Sequence, residues 1–147
     1  MTYSERLHLP WWWMLVGLLF GASIAVAVLA YVELRVGIAF SVLLMLGTAL
    51  LLFAYGRAAL RVDDAGLSVG RYRLEGRYIA GATALQGEAA RTALGPDADH
   101  HAFLFTRPFV SSVVRVDLDD AADPHPYWLV STRRPEALAA AIEAISA

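Results

Sequence analysis

Cysteine and lysine are both absent from the sequence. Without cysteine, neither a disulfide framework nor a thiolate metal site is possible. All twelve basic residues are arginine, a composition typical of a high-GC genome, which bears on the source of the protein and not on its mechanism.

Motifs for catalysis are also missing. No HExxH, P-loop, GxGxxG or GxSxG pattern occurs. The densest group of metal-capable side chains is His100 and His101 with Asp97 and Asp99; adjacent histidines in a loop after Gly-Pro favour solvated side chains over a zinc site. The sequence therefore predicts no catalytic residue, no metal, no cofactor and no nucleic-acid partner, and we expect a protein that is not an enzyme.

Charge is absent from two long runs. Residues 11–32 and 36–55 contain no charged side chain. As helices they would be about 33 and 30 Å long, which matches a hydrocarbon core of ~30 Å. A cleaved signal peptide would be followed by a polar mature region, whereas here a second apolar run follows at once. The pattern predicts a transmembrane hairpin connected by residues 33–35.

The arginines around this hairpin predict its orientation. Arg6 precedes the first run, Arg57 and Arg61 follow the second, and the connection contains only Arg35. Positively charged residues favour the cytoplasmic side of a membrane. We therefore expect a two-pass plasma-membrane protein with both termini in the cytoplasm.

Small residues recur along the first apolar run, at Gly17, Gly21 and Ala25. Small residues four apart allow helix backbones to approach closely. The favoured interpretation is packing on the second run of the same chain, around Ser41 or Gly47. The alternative is a dimer interface, which would make the protein a homo-oligomer.

After residue 56 the apolar pattern alternates, as in half-buried strands. The alternation is interrupted at Gly70, where a turn or bulge would restore the register. We expect residues 1–56 to form an N-terminal tail and the hairpin, and residues 57–147 to form a β domain of six or seven antiparallel strands. A C-terminal helix over residues 135–146 would close it. Strands followed by one helix are typical of a pleckstrin-homology-like (PH-like) barrel or sandwich, an analogy of fold alone.

Charge is distributed unevenly along the β domain. Residues 57–77 carry five arginines against three acids, and residues 78–147 carry five arginines against nine acids. Anionic headgroups attract juxtamembrane arginines, so the first segment predicts contact with the inner leaflet. Alternatively, its arginines pair with the neighbouring acids and fix only the topology. The candidate lipid-facing residues are Arg57, Arg61, Arg71, Arg73 and Arg77.

Arg133 and Arg134 precede the predicted C-terminal helix. A helix N-terminus beside arginine side chains can bind an anion such as a headgroup phosphate. Solvated arginines are the favoured alternative.

Several segments together resemble a known family. They are residues 3–7 (YSERL), 10–13 (PWWW), 61–67 (RVDDAGL), 93–96 (ALGP) and 126–135 (PYWLVSTRRP). They are similar to a family of small two-span actinobacterial membrane proteins catalogued as domain of unknown function 3093. The resemblance implies a bacterial inner-membrane protein, and it carries over neither an activity nor a site.

The function expected from these observations is non-catalytic. The chain would be a membrane-tethered interaction module whose PH-like domain contacts a protein partner or the inner leaflet. The alternative is an accessory subunit of a larger membrane complex, bound through its transmembrane helices.

Overall fold

The computed structural model describes residues 3–146, which form two compact units. The hairpin unit comprises residues 8–58, and the β unit comprises residues 1–7 and 59–147. The elements in chain order are β1 (Tyr3–Leu7), α1 (Trp11–Leu29), α2 (Leu34–Tyr55), β2 (Ala58–Asp63), β3 (Gly66–Val69), β4 (Tyr72–Glu75), a 3₁₀ turn (Gly76–Tyr78), β5 (Ile79–Leu85), α3 (Gly87–Leu94), β6 (Phe103–Phe105), β7 (Val113–Leu118), β8 (Tyr127–Ser131) and α4 (Pro135–Ser146).

Both helices of the hairpin unit are long enough and apolar enough to cross a membrane. Only 11% of the most apolar stretch of α1 and 6% of that of α2 are buried. The bounds differ from the expected runs, because α1 ends at Leu29 and α2 already begins at Leu34. Glu33 takes the N-cap position of α2 with extended backbone angles, where its carboxylate is favoured by the helix dipole. The charged residue Glu33 therefore lies at the start of α2 and not in the middle of the connection between the helices.

The helices approach each other through the small residues of α1. Gly21 and Ala25 are buried. A Cβ atom at Gly17 would lie 2.7 Å from Leu52 Cδ1, and one at Gly21 would lie 3.3 Å from Met45 Sδ. In the structure, Gly17 and Gly21 thus face α2 of the same chain, as in the favoured interpretation.

Of the two expected partners on α2, Gly47 was wrong. A Cβ atom at Gly47 would meet nothing within 4 Å. Ser41 is half-buried, and its hydroxyl donates to the Gly37 carbonyl one turn earlier in the same helix, at 2.7 Å. The close approach is made against long, adaptable side chains instead.

The first sheet of the β unit has the strand order β1-β2-β3-β4. Leu60 pairs with Val69, Val62 with Leu67, and Leu67 in turn with Leu74. Paired residues share a face of a sheet, and these five side chains are all buried. They form the inner face of this sheet.

Two glycines shape the turns of this sheet. Gly66 ends the β2–β3 turn at φ 149°, where a Cβ would lie 2.1 Å from the Leu74 carbonyl oxygen. Gly70 has φ 61° and lies in the β3–β4 turn, as the interrupted alternation predicted. Only glycine takes such conformations without strain.

Strand β1 corrects the predicted domain boundary. Residues 3–7 were assigned to a tail of the hairpin, and they form the first strand of the β unit. Glu5 and Leu7 are buried, whereas Ser4 and Arg6 are exposed. The β unit is therefore built from both sides of the hairpin sequence.

The second sheet has the order β5-β7-β8-β6. Strands β5, β7 and β8 are antiparallel neighbours, and β6 runs parallel to β8. Among the described residues, 57–147 thus contain seven strands, within the predicted number, and β1 adds an eighth. The parallel pairing of β6 with β8 differs from the all-antiparallel prediction. All five residues of β8 are buried, because this strand is covered on both faces. Trp128 is one of them.

Two helices cover the sheets. α4 runs over Pro135–Ser146, as predicted, and buries Leu138, Ala139 and Ile142, packing mainly against β5. α3 buries only Ala90, which joins a small apolar cluster with Val113, Tyr127 and Leu129. Since α3 is short, it covers only part of the sheet beneath it.

Candidate binding groove and arginine surface

A groove runs beside α3 on one face of the second sheet. Strand pairing places Arg115 between Thr83 and Leu129, and Asp117 opposite Tyr127, so these side chains share a face. The groove has a volume of about 570 Å³, within the range of small-ligand sites. Its lining residues are Thr83, Leu85, Glu88, Ala89, Thr92, Ala93, Asp97, Arg115, Asp117, Tyr127 and Leu129.

The floor of the groove is ordered by one arginine. The guanidinium of Arg115 lies 4.1 Å from the centroid of the Tyr127 ring, and its Nε donates to Asp117 Oδ1 at 2.7 Å. The Tyr127 hydroxyl in turn accepts the backbone N–H of Asp99 at 3.2 Å. Both ends of the aromatic side chain are therefore fixed, which gives the groove a rigid base.

The rim of the groove is acidic. Three carboxylates line it, at Glu88, Asp97 and Asp117, against the single guanidinium of Arg115. Asp117 is already paired with Arg115. The carboxylates of Glu88 and Asp97 form no hydrogen bond or ion pair with another side chain in residues 3–146. Two negative charges thus remain uncompensated at this site.

The candidate lipid-facing arginines lie mostly on the first sheet. Arg61 and Arg73 flank Ser68 on neighbouring strands, and both are exposed. Arg73 Nη2 lies 3.1 Å from Asp63 Oδ1, and Arg77 Nε lies 2.8 Å from Glu75 Oε2. Two of the five arginines are therefore paired with acids, as the alternative interpretation expected.

The other arginines of this segment have different neighbours. Arg71 donates to the Tyr72 hydroxyl at 2.8 Å. Arg57 belongs to the hairpin unit, where its guanidinium lies 4.2 Å from the centroid of Phe53. Arg61 has no acidic partner within residues 3–146. Arg57, Arg61 and Arg71 thus have no carboxylate partner within residues 3–146, and Arg61 and Arg71 are the two that lie in the β unit.

The segment before α4 binds a carboxylate of the chain itself, that of Glu5 in β1. The buried carboxylate of Glu5 accepts hydrogen bonds from the Tyr3 hydroxyl at 2.8 Å, from the Arg133 backbone N–H at 3.0 Å and from the Thr132 hydroxyl. Arg134 Nη2 donates to the Ser4 carbonyl at 3.3 Å. Arg133 and Arg134, the candidates for an external anion, therefore border a site in which strand β1 supplies the carboxylate.

Burial near the Glu5 carboxylate also changes the pKa of the neighbouring Tyr3 hydroxyl. Burial raises the pKa of the Tyr3 hydroxyl above its ordinary value of 10.0, and the hydrogen bond with Thr132 opposes this shift. The guanidinium of Arg134 lies 5.2 Å from the Tyr3 ring centroid. The N-terminal strand is thus held at the start of α4 by polar contacts as well as by the burial of Leu7.

Comparison with known proteins gives one match. A family model described as "Protein of unknown function (DUF3093)" matches residues 2–142. The chain belongs to this family. No curated protein and no solved structure matches it. The resemblance drawn from the sequence is confirmed at the level of the family, which assigns no activity to the DUF3093 chain.

The histidines of the DUF3093 chain make local contacts. His101 Nδ1 lies 3.1 Å from Asp99 Oδ1, and the His125 ring nitrogen lies 2.6 Å from the His101 carbonyl oxygen. The hydrogen bond from the His101 backbone N–H lowers the pKa of Asp99 below its ordinary value of 3.8. Across residues 3–146, no group of three His, Asp or Glu side chains could hold a metal ion.

Sequence reasoning missed the groove and the role of Glu5. Thr83, Arg115 and Asp117 are the exposed positions of alternating strands, which the pattern identified only as solvent-facing. The signal for β1 was present, because Tyr3, Glu5 and Leu7 alternate with polar residues. Because a charged residue, Glu5, lies at the centre of this five-residue DUF3093 segment, the inward-facing side of the strand was not recognised.

Proposed function

We propose that this protein is a non-catalytic, membrane-anchored binding module. The hairpin inserts in the plasma membrane with both termini in the cytoplasm, and the β unit binds a protein partner through the groove beside α3. The likeness to PH-like domains stays part of this proposal and rests on the order of strands followed by one C-terminal helix.

The strand order supports a paired crossing of the membrane. β1 and β2 are neighbours in the first sheet, and both apolar helices lie in the chain between them. Strands of one folded sheet lie on one side of a bilayer, so the intervening chain crosses it an even number of times. The excess of arginine at Arg6, Arg57 and Arg61 over Arg35 favours the cytoplasm as that side.

The observation that carries the binding role is the groove itself. It combines apolar lining side chains, at Leu85, Ala89 and Ala93, with charged side chains at its rim. Apolar concave sites with a few placed polar groups are where proteins bind ligands. The fixed Arg115 side chain on Tyr127 gives this site a base that binding does not have to order, which lowers the entropic cost of association.

Contact with the inner leaflet is the second candidate function. Arg61 and Arg71 carry charges that no carboxylate of residues 3–146 compensates, and each such arginine near an anionic surface contributes ~1 kcal/mol. In nanodiscs, strands β2–β4 of the full chain should be protected from hydrogen exchange by anionic but not neutral lipid, at low salt only. Unchanged protection in Arg61→Glu with Arg71→Glu would remove this candidate.

The partner-binding role can be tested in cells by site-specific photo-crosslinking. A photoreactive residue at Ala89, in the groove, should crosslink the full-length chain to a defined protein in the membrane fraction. The matched control is the same residue at Ala144, an exposed alanine of α4. Equal products from both positions, or none from Ala89, would contradict partner binding through the groove.

The orientation has a test of its own. Reporters that are active only in the periplasm, fused at Thr2 or at Ala147, should stay silent, and one placed in the connection after Tyr31 should be active. A periplasmic signal from either terminus would overturn the proposed topology without affecting the crosslinking result.

A further inference from the structure

We propose that the groove beside α3 binds a basic peptide segment of the partner protein, with arginine or lysine side chains lying across its apolar lining. This inference rests on the proposed function and adds the chemistry of the partner. It follows from the shape of the groove, the distribution of its charges and the state of its one arginine.

The shape follows from the shortness of α3. Its eight residues bury Ala90 against Val113 and Leu129, and the helix ends at Leu94, before it covers the rest of the sheet face. The uncovered part of that face presents Thr83 and Arg115 beside the exposed Ala89. With alanines on the helix side, the wall of the groove is low and apolar, and it accepts an aliphatic stem.

The charges select the sign of the ligand. Glu88 and Asp97 stand at the rim with no compensating cation among residues 3–146. Residues 78–147 as a whole also carry five arginines against nine acids, so the surrounding field attracts cations. An incoming arginine or lysine would place its ammonium or guanidinium group at these carboxylates.

Arg115 does not repel such a ligand, because its charge is already engaged. Its guanidinium lies over Tyr127 and is hydrogen-bonded to Asp117 at 2.7 Å. The Arg115–Asp117 pair has no net charge. The net negative charge of the groove therefore lies at its rim, on Glu88 and Asp97. Arginine and lysine fit this division, because their stems are apolar and their ends are charged.

Binding can be measured on the full chain in mild detergent with labelled octapeptides. The probe alternates arginine with leucine, and the comparison peptides replace arginine by glutamate or leucine by serine. Glu88→Gln with Asp97→Asn should weaken binding of the arginine–leucine peptide about 2- to 30-fold, the effect expected for the loss of two exposed ion pairs. Ala89→Trp, which fills the groove, should weaken it more.

The matched control removes two carboxylates elsewhere. Asp64→Asn with Glu143→Gln changes the net charge equally at exposed positions outside the groove, and it should leave binding unchanged. Equal loss in both double variants would show a general charge effect and overturn the inference. So would binding of spermine as tight as that of the peptide, because a small polyamine needs no apolar lining.

Failure of this inference is distinguishable from failure of the proposed function. If Ala89 crosslinks to a partner through a segment without basic residues, the partner's chemistry is wrong and the binding role stands. If Ala89 crosslinks to nothing while Ala144 behaves identically, both are wrong.

Discussion

The hairpin unit and the β unit distribute their apolar side chains in opposite ways. In the hairpin, Phe20 and Leu43 are 69% and 70% exposed, whereas Leu60 and Leu67 of the β unit are fully buried. Burial of apolar surface drives folding only in water. The β unit can therefore be stable in water, and the hairpin needs an apolar surrounding to cover its outer surface.

The two units also differ in what holds their elements together. The helices meet through Gly21 and Ala25, where the absence of a large side chain allows close approach. The strands of the second sheet pack through branched side chains such as Val114, Val116 and Val130, none of which is exposed. Close contact between backbones is typical of helices that associate in a membrane, whereas sheets in water gain from area removed from solvent.

The prediction with the largest expected effect concerns a protein from which the hairpin unit has been removed. Removing residues 8–58 and joining Leu7 to Ala59 with a Gly/Ser linker of about eight residues should give a β unit that folds in water without detergent. β1 and β2 are neighbours in the sheet, so a short linker suffices. Urea unfolding followed by Trp128, the only tryptophan left, should show one cooperative transition.

The comparison protein begins at Ala59 and lacks β1. It loses the burial of Leu7, worth about 1.5–3 kcal/mol, and it leaves Thr132 and the Arg133 N–H without their carboxylate, at about 1–3 kcal/mol each. Against a total of 5–15 kcal/mol, we expect it to be largely unfolded. Equal stability of the two proteins would show that β1 is not an integral strand.

The next prediction compares a leucine in the core of the β unit with a leucine on the outer surface of the hairpin. Leu60→Ala, in the core of the first sheet, should reduce the free energy of unfolding of the β unit by ~2–5 kcal/mol. Leu43→Ala, on the exposed side of α2, should change it by less than ~0.5 kcal/mol. Hydrogen exchange of residues 58–75 in the full chain in mild detergent measures both. Similar effects would contradict the assignment of Leu43 to an outward-facing position.

Helix packing in the hairpin should respond more weakly. Gly21→Leu pushes the helices apart, because a Cβ there already meets Met45 Sδ at 3.3 Å, and it should cost ~1–2 kcal/mol of helix association. Gly47→Leu is the control, since its Cβ would meet nothing within 4 Å. Unfolding of the full chain in detergent, followed by Trp11–Trp13 fluorescence, compares them. Equal loss from both would show that Gly21 does not face α2.

The smallest effect concerns Tyr3 and pH. Its pKa in the folded state is raised above the ordinary 10.0, so folding favours the neutral hydroxyl. The associated stability is complete below that value and is lost as pH rises through the folded pKa. In urea unfolding of the joined β unit, Tyr3→Phe should reduce the loss of stability above pH ~10. A stability difference independent of pH would contradict the shift.

Sequence patterns predicted the elements whose environment is uniform along their length. The two apolar helices follow from runs without charge, and the strands after residue 56 follow from alternation, because one side of each element meets one medium throughout. The face of Gly17, Gly21 and Ala25 was identified from the spacing of small residues.

The parts that could not be predicted depend on contacts between distant residues. β1 is stabilised by Thr132 and Arg133, more than a hundred positions away, and its five residues carry no such information by themselves. The parallel pairing of β6 with β8 likewise depends on a return of the chain that no local pattern specifies. The groove exists only because α3 ends early over strands that come from three separate segments.

The position of β1 also orders the events of biosynthesis. This strand is made before its neighbour β2, which follows only after the whole hairpin, and Thr132, whose hydroxyl donates to the Glu5 carboxylate of β1, follows still later. Domains generally fold as units during synthesis, but here β1 has to remain unpaired while the two apolar helices are made. Completion of the first sheet therefore requires that both helices between β1 and β2 have already been synthesised.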